Sequence, residues 1–243
     1  MSREFEITRE IDLPASPEDV WTAMTADTAA WQFPTGMEIP PGGKPPEGSP
    51  VTTWDPPRRL VIRMESPDGT FNALDYAIEA REGGTAHLRY VHSGILADEW
   101  EDQYDAIDGH TDFYLHTLGQ YLEHFNGRPV TYVGQPSDGI NGPETAGTPD
   151  AMDGLRAALG LSPDAGVGDA VHAPLGDAGT LDGVVDYSTP EFLGVRTADG
   201  LYRFFGRNHF GSVVGMSAHL FVEGVDAAAR EAALKTWLDG VYA

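Results

Sequence analysis

The sequence predicts an α+β protein in which an antiparallel, curved sheet grips one long helix near the middle of the chain. Residues 108 to 125 place apolar side chains at helical spacing, and the segments before them alternate apolar and polar residues with a period of two. Glycine, proline and aspartate mark the turns between these segments. A helix with one apolar face needs a large surface to cover it, and a curved sheet provides that surface.

The first element is a strand in which Phe5, Ile7, Ile11 and Leu13 alternate with polar residues. Arg9 falls on the apolar side of this strand, where it can anchor an anionic group of a ligand or form an internal ion pair. The ion pair is the favoured alternative. The acids considered as its partners are Glu99, Glu101, Asp102 and Asp105.

A short helix follows, with Ser16 as its N-cap, Pro17 in its first turn and Trp21 on its inner face. A second short helix is predicted from 25 to 31. Residues 36 to 50 contain so many prolines and glycines that we expect a long hairpin or flap there.

Period-two segments around residues 51–54, 60–65, 74–79 and 87–92 predict antiparallel strands joined by short turns. One face of these strands is expected to point toward the long helix. The residues on that face are Ile62, Met64, Leu74, Tyr76, Leu88, Tyr90 and His92.

The long helix is predicted to begin with Asp108 as its cap and to end at Asn126-Gly127, with Pro129 just beyond. Its apolar stripe gives about five turns of helix with one buried face. The stripe consists of Tyr114, Leu115, Leu118, Tyr121, Leu122 and Phe125.

The segments TREIDLPASPEDVWTAMT and VTTWDPPRRLVIRM, followed by a helix that Gly109 opens, resemble the START-like helix-grip (SRPBCC) superfamily over residues 3 to 126. Within it, they are most similar to the domain related to the activator of heat-shock protein 90 ATPase. The resemblance implies a seven-stranded antiparallel sheet that grips the C-terminal helix around an apolar cavity. This family commonly has tryptophan after the helix-opening glycine, where this chain has His110.

The domains are predicted to be a helix-grip domain over 1–134, a Gly/Pro linker over 135–150, and a second, degenerate α+β copy over 151–243. Leu60 and Leu193 correspond at an offset of 133, and the chain again ends in a capped helix. The first strand of this copy is missing unless 130–133 supplies it.

Phe221 is expected to face outward and to need cover from the first domain or a second subunit. The alternative is an ordinary set of hairpins followed by a helix.

The candidate ligand site is the space between the first sheet and the long helix, where aromatic walls and a few polar groups are typical of a small-molecule site. The alternative is a packed core. His92 can act as a general acid or base there, or simply as a hydrogen-bonded core residue. The candidate lining residues are Arg9, Trp31, Trp54, Met64, Leu74, Tyr76, Tyr90, His92, His110, Tyr114 and Leu118.

Composition limits the classes of partner. A net charge of −23 disfavours binding to nucleic acid or to anionic membrane surfaces. The absence of cysteine and the scattered histidines predict no metal site, and no cofactor is expected. The N-terminus lacks the pattern of a secretory signal, so a cytoplasmic location is expected.

The aromatic face of the strands together with the resemblance, which implies a cavity, favours a protein that binds a small hydrophobic or aromatic ligand, as a monomer or homodimer. Two alternatives remain open. The resemblance implies a co-chaperone that activates a heat-shock ATPase in the stress response. The resemblance also implies a third possible function, a cyclase, dehydratase or hydrolase that uses the cavity, although binding is favoured over catalysis.

Overall fold

The computed structural model describes residues 3–96, 100–162 and 164–243. The elements of its first half follow the predicted order. They are β1 (Arg3–Leu13), α1 (Pro17–Thr25), β2 (Val51–Asp55), β3 (Arg59–Glu65), β4 (Phe71–Ala80), β5 (Ala86–Leu96) and α2 (Trp100–His124). Ser16 caps α1 as expected, because its hydroxyl accepts a hydrogen bond from the Asp19 backbone N–H at 3.1 Å.

The first sheet has five antiparallel strands in the order β1-β5-β4-β3-β2. Tyr76 pairs with Leu60 on one side and with Tyr90 on the other, so the predicted face is continuous across neighbouring strands. Over the described residues, this sheet therefore lacks two of the seven strands that the resemblance implies. Residues 36–50 hold only turns and irregular backbone, since their prolines cannot donate to a ladder and their glycines favour turns.

The long helix begins earlier than predicted, at Trp100, so Asp108 and Gly109 lie inside it instead of opening it. Asp108 is not a cap, because its carboxylate forms an ion pair with Arg9 of β1. Gly109 has a different role. A Cβ atom there would lie 2.7 Å from the Phe192 ring, so glycine permits close packing of the second half on α2.

The second half contains a second antiparallel sheet that repeats the order of the first. The elements of this half are β6 (Thr131–Val133), β7 (Ile140–Asn141), α3 (Ala151–Ala158), β8 (Ala170–Pro174), β9 (Thr180–Ser188), β10 (Phe192–Thr197), β11 (Gly200–Phe205), β12 (Gly215–Leu220) and α4 (Ala227–Val241). The strand order of the sheet is β6-β12-β11-β10-β9-β8, and β7 also pairs with β12. β6 pairs with the last strand of its sheet as β1 does in the first, and a long helix follows each last strand.

The predicted pair of leucines also corresponds. Leu60 is the second residue of β3 and Leu193 is the second residue of β10, which takes the place of β3 in the second sheet, and both are buried. The first strand of the second sheet is β6, which lies within residues 130–133, the segment that the sequence offered for it. The proposed boundary at 134 assigns β6 to the first domain, but it belongs to the second sheet. The expected linker 135–150 is also structured, since it contains β7 and a 3-10 turn over Glu144–Gly147.

Helix α2 is buried on two sides, which the sequence did not predict. Its apolar stripe packs in the core of the first sheet, while Phe113 packs against Phe192 and Phe205 of the second sheet. Phe221 is also covered by α2, as the first of the two predicted alternatives required. Its ring stacks on Phe125 with centroids 4.2 Å apart.

A buried ion pair lies on the face of the second sheet that packs against α2. Arg203 Nη1 and Nη2 donate to the two carboxylate oxygens of Asp186 at 2.8 and 3.0 Å, and both side chains are almost fully buried. His219 of the second half also contacts the first half, because its Nδ1–H donates to the Ala29 carbonyl oxygen at 2.8 Å. None of the described helices is long and apolar enough to cross a membrane.

Candidate functional site

A cavity of about 640 Å³ lies between the first sheet and α2. The sheet forms its floor through β2 to β5, and the helix forms the opposite wall. Met37 and Met64 lie on its lining and are each 43 % exposed, so they mark its opening. The volume falls within the range of sites that enclose small organic molecules.

All the sequence-predicted site residues except Arg9 and Leu118 lie on the wall of this cavity. The strand residues come together because they alternate on one face of the sheet, and the helix residues because they follow one side of α2. The predicted residues on the wall are Trp31, Trp54, Met64, Leu74, Tyr76, Tyr90, His92, His110 and Tyr114.

Arg9 is held by α2 and does not line the cavity. Its guanidinium donates to the carboxylates of Asp112 and Asp108, with the Asp108 ion pair at 2.8 Å. The Asp112 hydrogen bond is the largest cause of a raised pKa for Arg9. The prediction of an ion pair was right, but its partners lie farther along α2 than expected. Among the acids considered, Glu99 lies outside the described residues, as do the side chains of Glu101 and Asp102.

Leu118 is fully buried in the core between α2 and the first sheet, without contact to the cavity. The cavity therefore occupies only the part of the space near the first half of α2. Farther along the helix, Leu118, Tyr121 and Leu122 close the gap by direct packing. The space is thus an open cavity at one end and a packed core at the other.

The tyrosines on the wall are neutral hydrogen-bonding groups at physiological pH. Burial raises the pKa of Tyr76, Tyr90 and Tyr114. A hydrogen bond with Thr111 opposes part of this effect on the pKa of Tyr90. Each phenol keeps its proton, so its O–H can donate a hydrogen bond to an oxygen or nitrogen of a bound molecule.

The two histidines on the wall are also neutral. Burial lowers the pKa of His92 to about 4, and the ring lies 2.6 Å from Asn72 through Nε2 and Oδ1. Burial lowers the pKa of His110 to about 4 as well, although its bond to the Ala106 carbonyl opposes the shift. Because His110 Nδ1–H donates to that carbonyl at 2.7 Å, its Nε2 is left as an acceptor.

Several wall residues were not among the predicted ones. Ile62 and Asn72 lie on the strand face that the alternation identified, so the sequence contained the signal for them. Met37 and Ile39 come from the proline-rich segment, which is anchored because the Ile39 N–H donates to the Thr25 carbonyl at 2.7 Å. The second half also contributes wall residues, at 136 and 137, for which the sequence carried no signal.

None of the described wall residues carries a formal charge at neutral pH, since they include no aspartate, glutamate, lysine or arginine. Among the residues that the structure describes, no group of three or more histidine, aspartate or glutamate side chains is arranged to hold a metal ion. The arrangement can therefore enclose an uncharged molecule and offer it hydrogen bonds from phenols, imidazoles and an amide.

No family model and no curated protein matches this sequence. Solved structures similar to it include Mll3558 from Rhizobium loti, at 18% identity and a TM-score of 0.39, covering 50% of this chain and 99% of that one. The Aha1 dimer from Colwellia psychrerythraea has 21% identity and a TM-score of 0.38, covering 51% of this chain and 99% of that one.

DynU16, a protein of the dynemicin biosynthetic locus, is similar over both halves, covering 98% of this chain and 95% of that one, at 13% identity and a TM-score of 0.37. At these identities and scores, the likenesses carry no argument about ligand or activity. The antiparallel sheet and the long helix that the sequence resemblance implies are present in the chain's own topology.

Proposed function

We propose that this protein binds one small, uncharged and mainly apolar molecule in the cavity between its first sheet and α2. The observation that carries the proposal is the cavity of about 640 Å³, which has aromatic and aliphatic walls and, over the part of the chain that the structure describes, no charged side chain on its lining. A charged ligand would lose its hydration there without gaining a counter-charge, which disfavours it strongly. A neutral ligand gains from the apolar walls and can use the phenols and imidazoles to fix its orientation.

The state of His92 supports binding over catalysis. A general base works best when its pKa lies near the working pH, whereas burial lowers the pKa of His92 to about 4. The ring is also engaged with Asn72. This combination suits a hydrogen-bonding group that orients a ligand better than one that removes a proton from it.

The test uses N-phenyl-1-naphthylamine, a neutral aromatic dye whose fluorescence rises in apolar surroundings. Ile62→Trp fills the cavity, and Val61→Trp is the matched control because Val61 is the adjacent, similarly half-buried residue on β3 but does not line the cavity. We expect saturable binding of the dye to the wild type and to Val61→Trp, and binding at least about tenfold weaker in Ile62→Trp, a difference of about 1.4 kcal/mol.

Two results would contradict the proposal. One is equal dye binding by the two tryptophan variants, which would place the dye outside the cavity. The other is tighter binding of the anionic dye 8-anilinonaphthalene-1-sulfonate, because a lining without cations should reject the sulfonate. The co-chaperone alternative would use an outer surface, so it predicts that Ile62→Trp leaves partner binding intact.

A further inference from the structure

The second half of the chain contributes a small piece of the cavity wall. Pro136 and Ser137 lie on the lining and belong to the loop between β6 and β7. The loop is closed at its base, because the Gln135 N–H donates to the Gly139 carbonyl at 3.0 Å and the Gly139 N–H donates back at 2.8 Å. Both flanking strands pair with β12, so the tip is rooted in the second sheet while it contacts the site of the first.

Arg207 holds this tip from the side of the second sheet. Its guanidinium donates to the backbone carbonyls of Ser137, at 3.3 Å, and Asp138, and to Asn141 Oδ1 at 3.1 Å. The first two acceptors lie at the loop tip, and Asn141 lies at the end of β7. One side chain therefore ties the end of the loop to its base, which a planar group with several fixed donors can do.

The same guanidinium also contacts the cavity wall indirectly. It lies 4.9 Å from the centroid of the Phe205 ring, and that ring stacks on His110 with centroids 5.6 Å apart and planes 8° from parallel. His110 lines the cavity on the α2 side. Arg207 thus connects two separate parts of the wall, the loop tip and the His110 ring.

The backbone of the tip needs such support. Ser137 has φ of 63°, and within the described ranges it is the one residue other than glycine with a positive φ. This conformation is unfavourable for a residue with a side chain, so it persists where surrounding contacts stabilise it. The bonds from Arg207 to Ser137 and Asp138 supply contacts of that kind.

We propose that the Pro136–Ser137 tip is the part of the wall that limits ligand size, and that Arg207 is the positioning residue that holds it in place. The binding site is then shared between the two halves, with the second half acting as more than a structural support. This inference rests on the proposed function, because it concerns the same cavity.

The experiment compares two neutral dyes, N-phenyl-1-naphthylamine and the bulkier Nile red, in the wild type and in Arg207→Ala. Releasing the tip should widen the cavity, so the ratio of the two dissociation constants should shift toward Nile red by about fivefold or more. Arg230→Ala is the control, since Arg230 also donates to a backbone carbonyl, that of Ala178, but away from the cavity. It should leave the ratio within about twofold of the wild-type value.

Arg207→Lys gives a second, more conservative variant in case the alanine variant does not fold. Lysine keeps the charge but lacks the planar fork, so the ratio should again shift toward Nile red, by less than in the alanine variant. An unchanged ratio in folded Arg207 variants, with the wild type binding both dyes, would overturn the role of Arg207 while the proposed function stands. Failure of the wild type to bind either dye would overturn both.

Discussion

The contact of His219 with the first half makes a quantitative prediction about acid stability. The imidazole is 1 % exposed, and its Nδ1–H donates to the Ala29 carbonyl at 2.8 Å. Burial lowers the pKa of His219 to about 3; the Ala29 bond opposes this shift, and the positive charge of Arg203 adds a smaller lowering effect. The folded protein therefore keeps this ring neutral at pH values where an unfolded chain protonates it.

The sign and size follow from this difference in protonation. The unfolded chain takes up a proton below the ordinary pKa of 6.5, and the folded chain does so only near its pKa of about 3. The contribution of His219 to the free energy of unfolding is therefore fully present well above pH 6.5. It is lost as the pH drops through the window between the two pKa values. Between pH 7 and pH 5, the free energy of unfolding should fall by about 2 kcal/mol from His219 alone.

Urea denaturation at pH 7 and pH 5 measures this effect in the wild type and in His219→Asn. Asparagine cannot titrate but keeps an N–H donor near the position of Nδ1, while His92 and His110 titrate in both proteins and cancel in the comparison. The wild type should lose about 2 kcal/mol more than the variant between the two pH values. Equal losses in the two proteins would show that His219 is not held neutral at the junction of the halves.

Three substitutions test the packing. Leu118→Ala should lower the free energy of unfolding by about 2 to 5 kcal/mol in urea denaturation because it leaves a cavity in a packed region, and a loss below about 1 kcal/mol would place Leu118 in open space. Phe221→Ala should cost about 3 to 5 kcal/mol by removing the ring stacked on Phe125, and an unchanged midpoint would contradict the interface between the halves. Asp186→Ala should lower the free energy of unfolding by about 3 to 5 kcal/mol because Arg203 is left buried and unpaired. The double variant Asp186→Leu/Arg203→Met should lose less, because it removes both charges. A double variant as unstable as the single one would refute that reason.

Much of the first half was predictable because local patterns determine it. The alternation along β3 to β5 assigned Tyr76, Tyr90 and His92 to one face, and these residues do line the cavity. Ser16 signalled the start of α1 through its capping hydroxyl. Such signals are carried by neighbours in sequence, so no knowledge of the tertiary structure was needed to interpret them.

The errors arose where distant contacts decide the structure. Asp108 looked like a helix cap, but Arg9 of β1 gives it another partner inside a longer helix. Gly109 looked like a helix start, although its lack of a side chain serves the close approach of Phe192. The wall contribution of Ser137 depends on how the second half docks on the first, and no local pattern reports that.

The most direct test of the cavity as a binding site is a crystal structure of the wild-type protein grown with N-phenyl-1-naphthylamine. We expect electron density for one dye molecule between the strand face that carries Leu74 and Tyr76 and the α2 face that carries Tyr114. Dye bound only on an outer surface, with the side chains of this face packed together and the cavity closed, would contradict it.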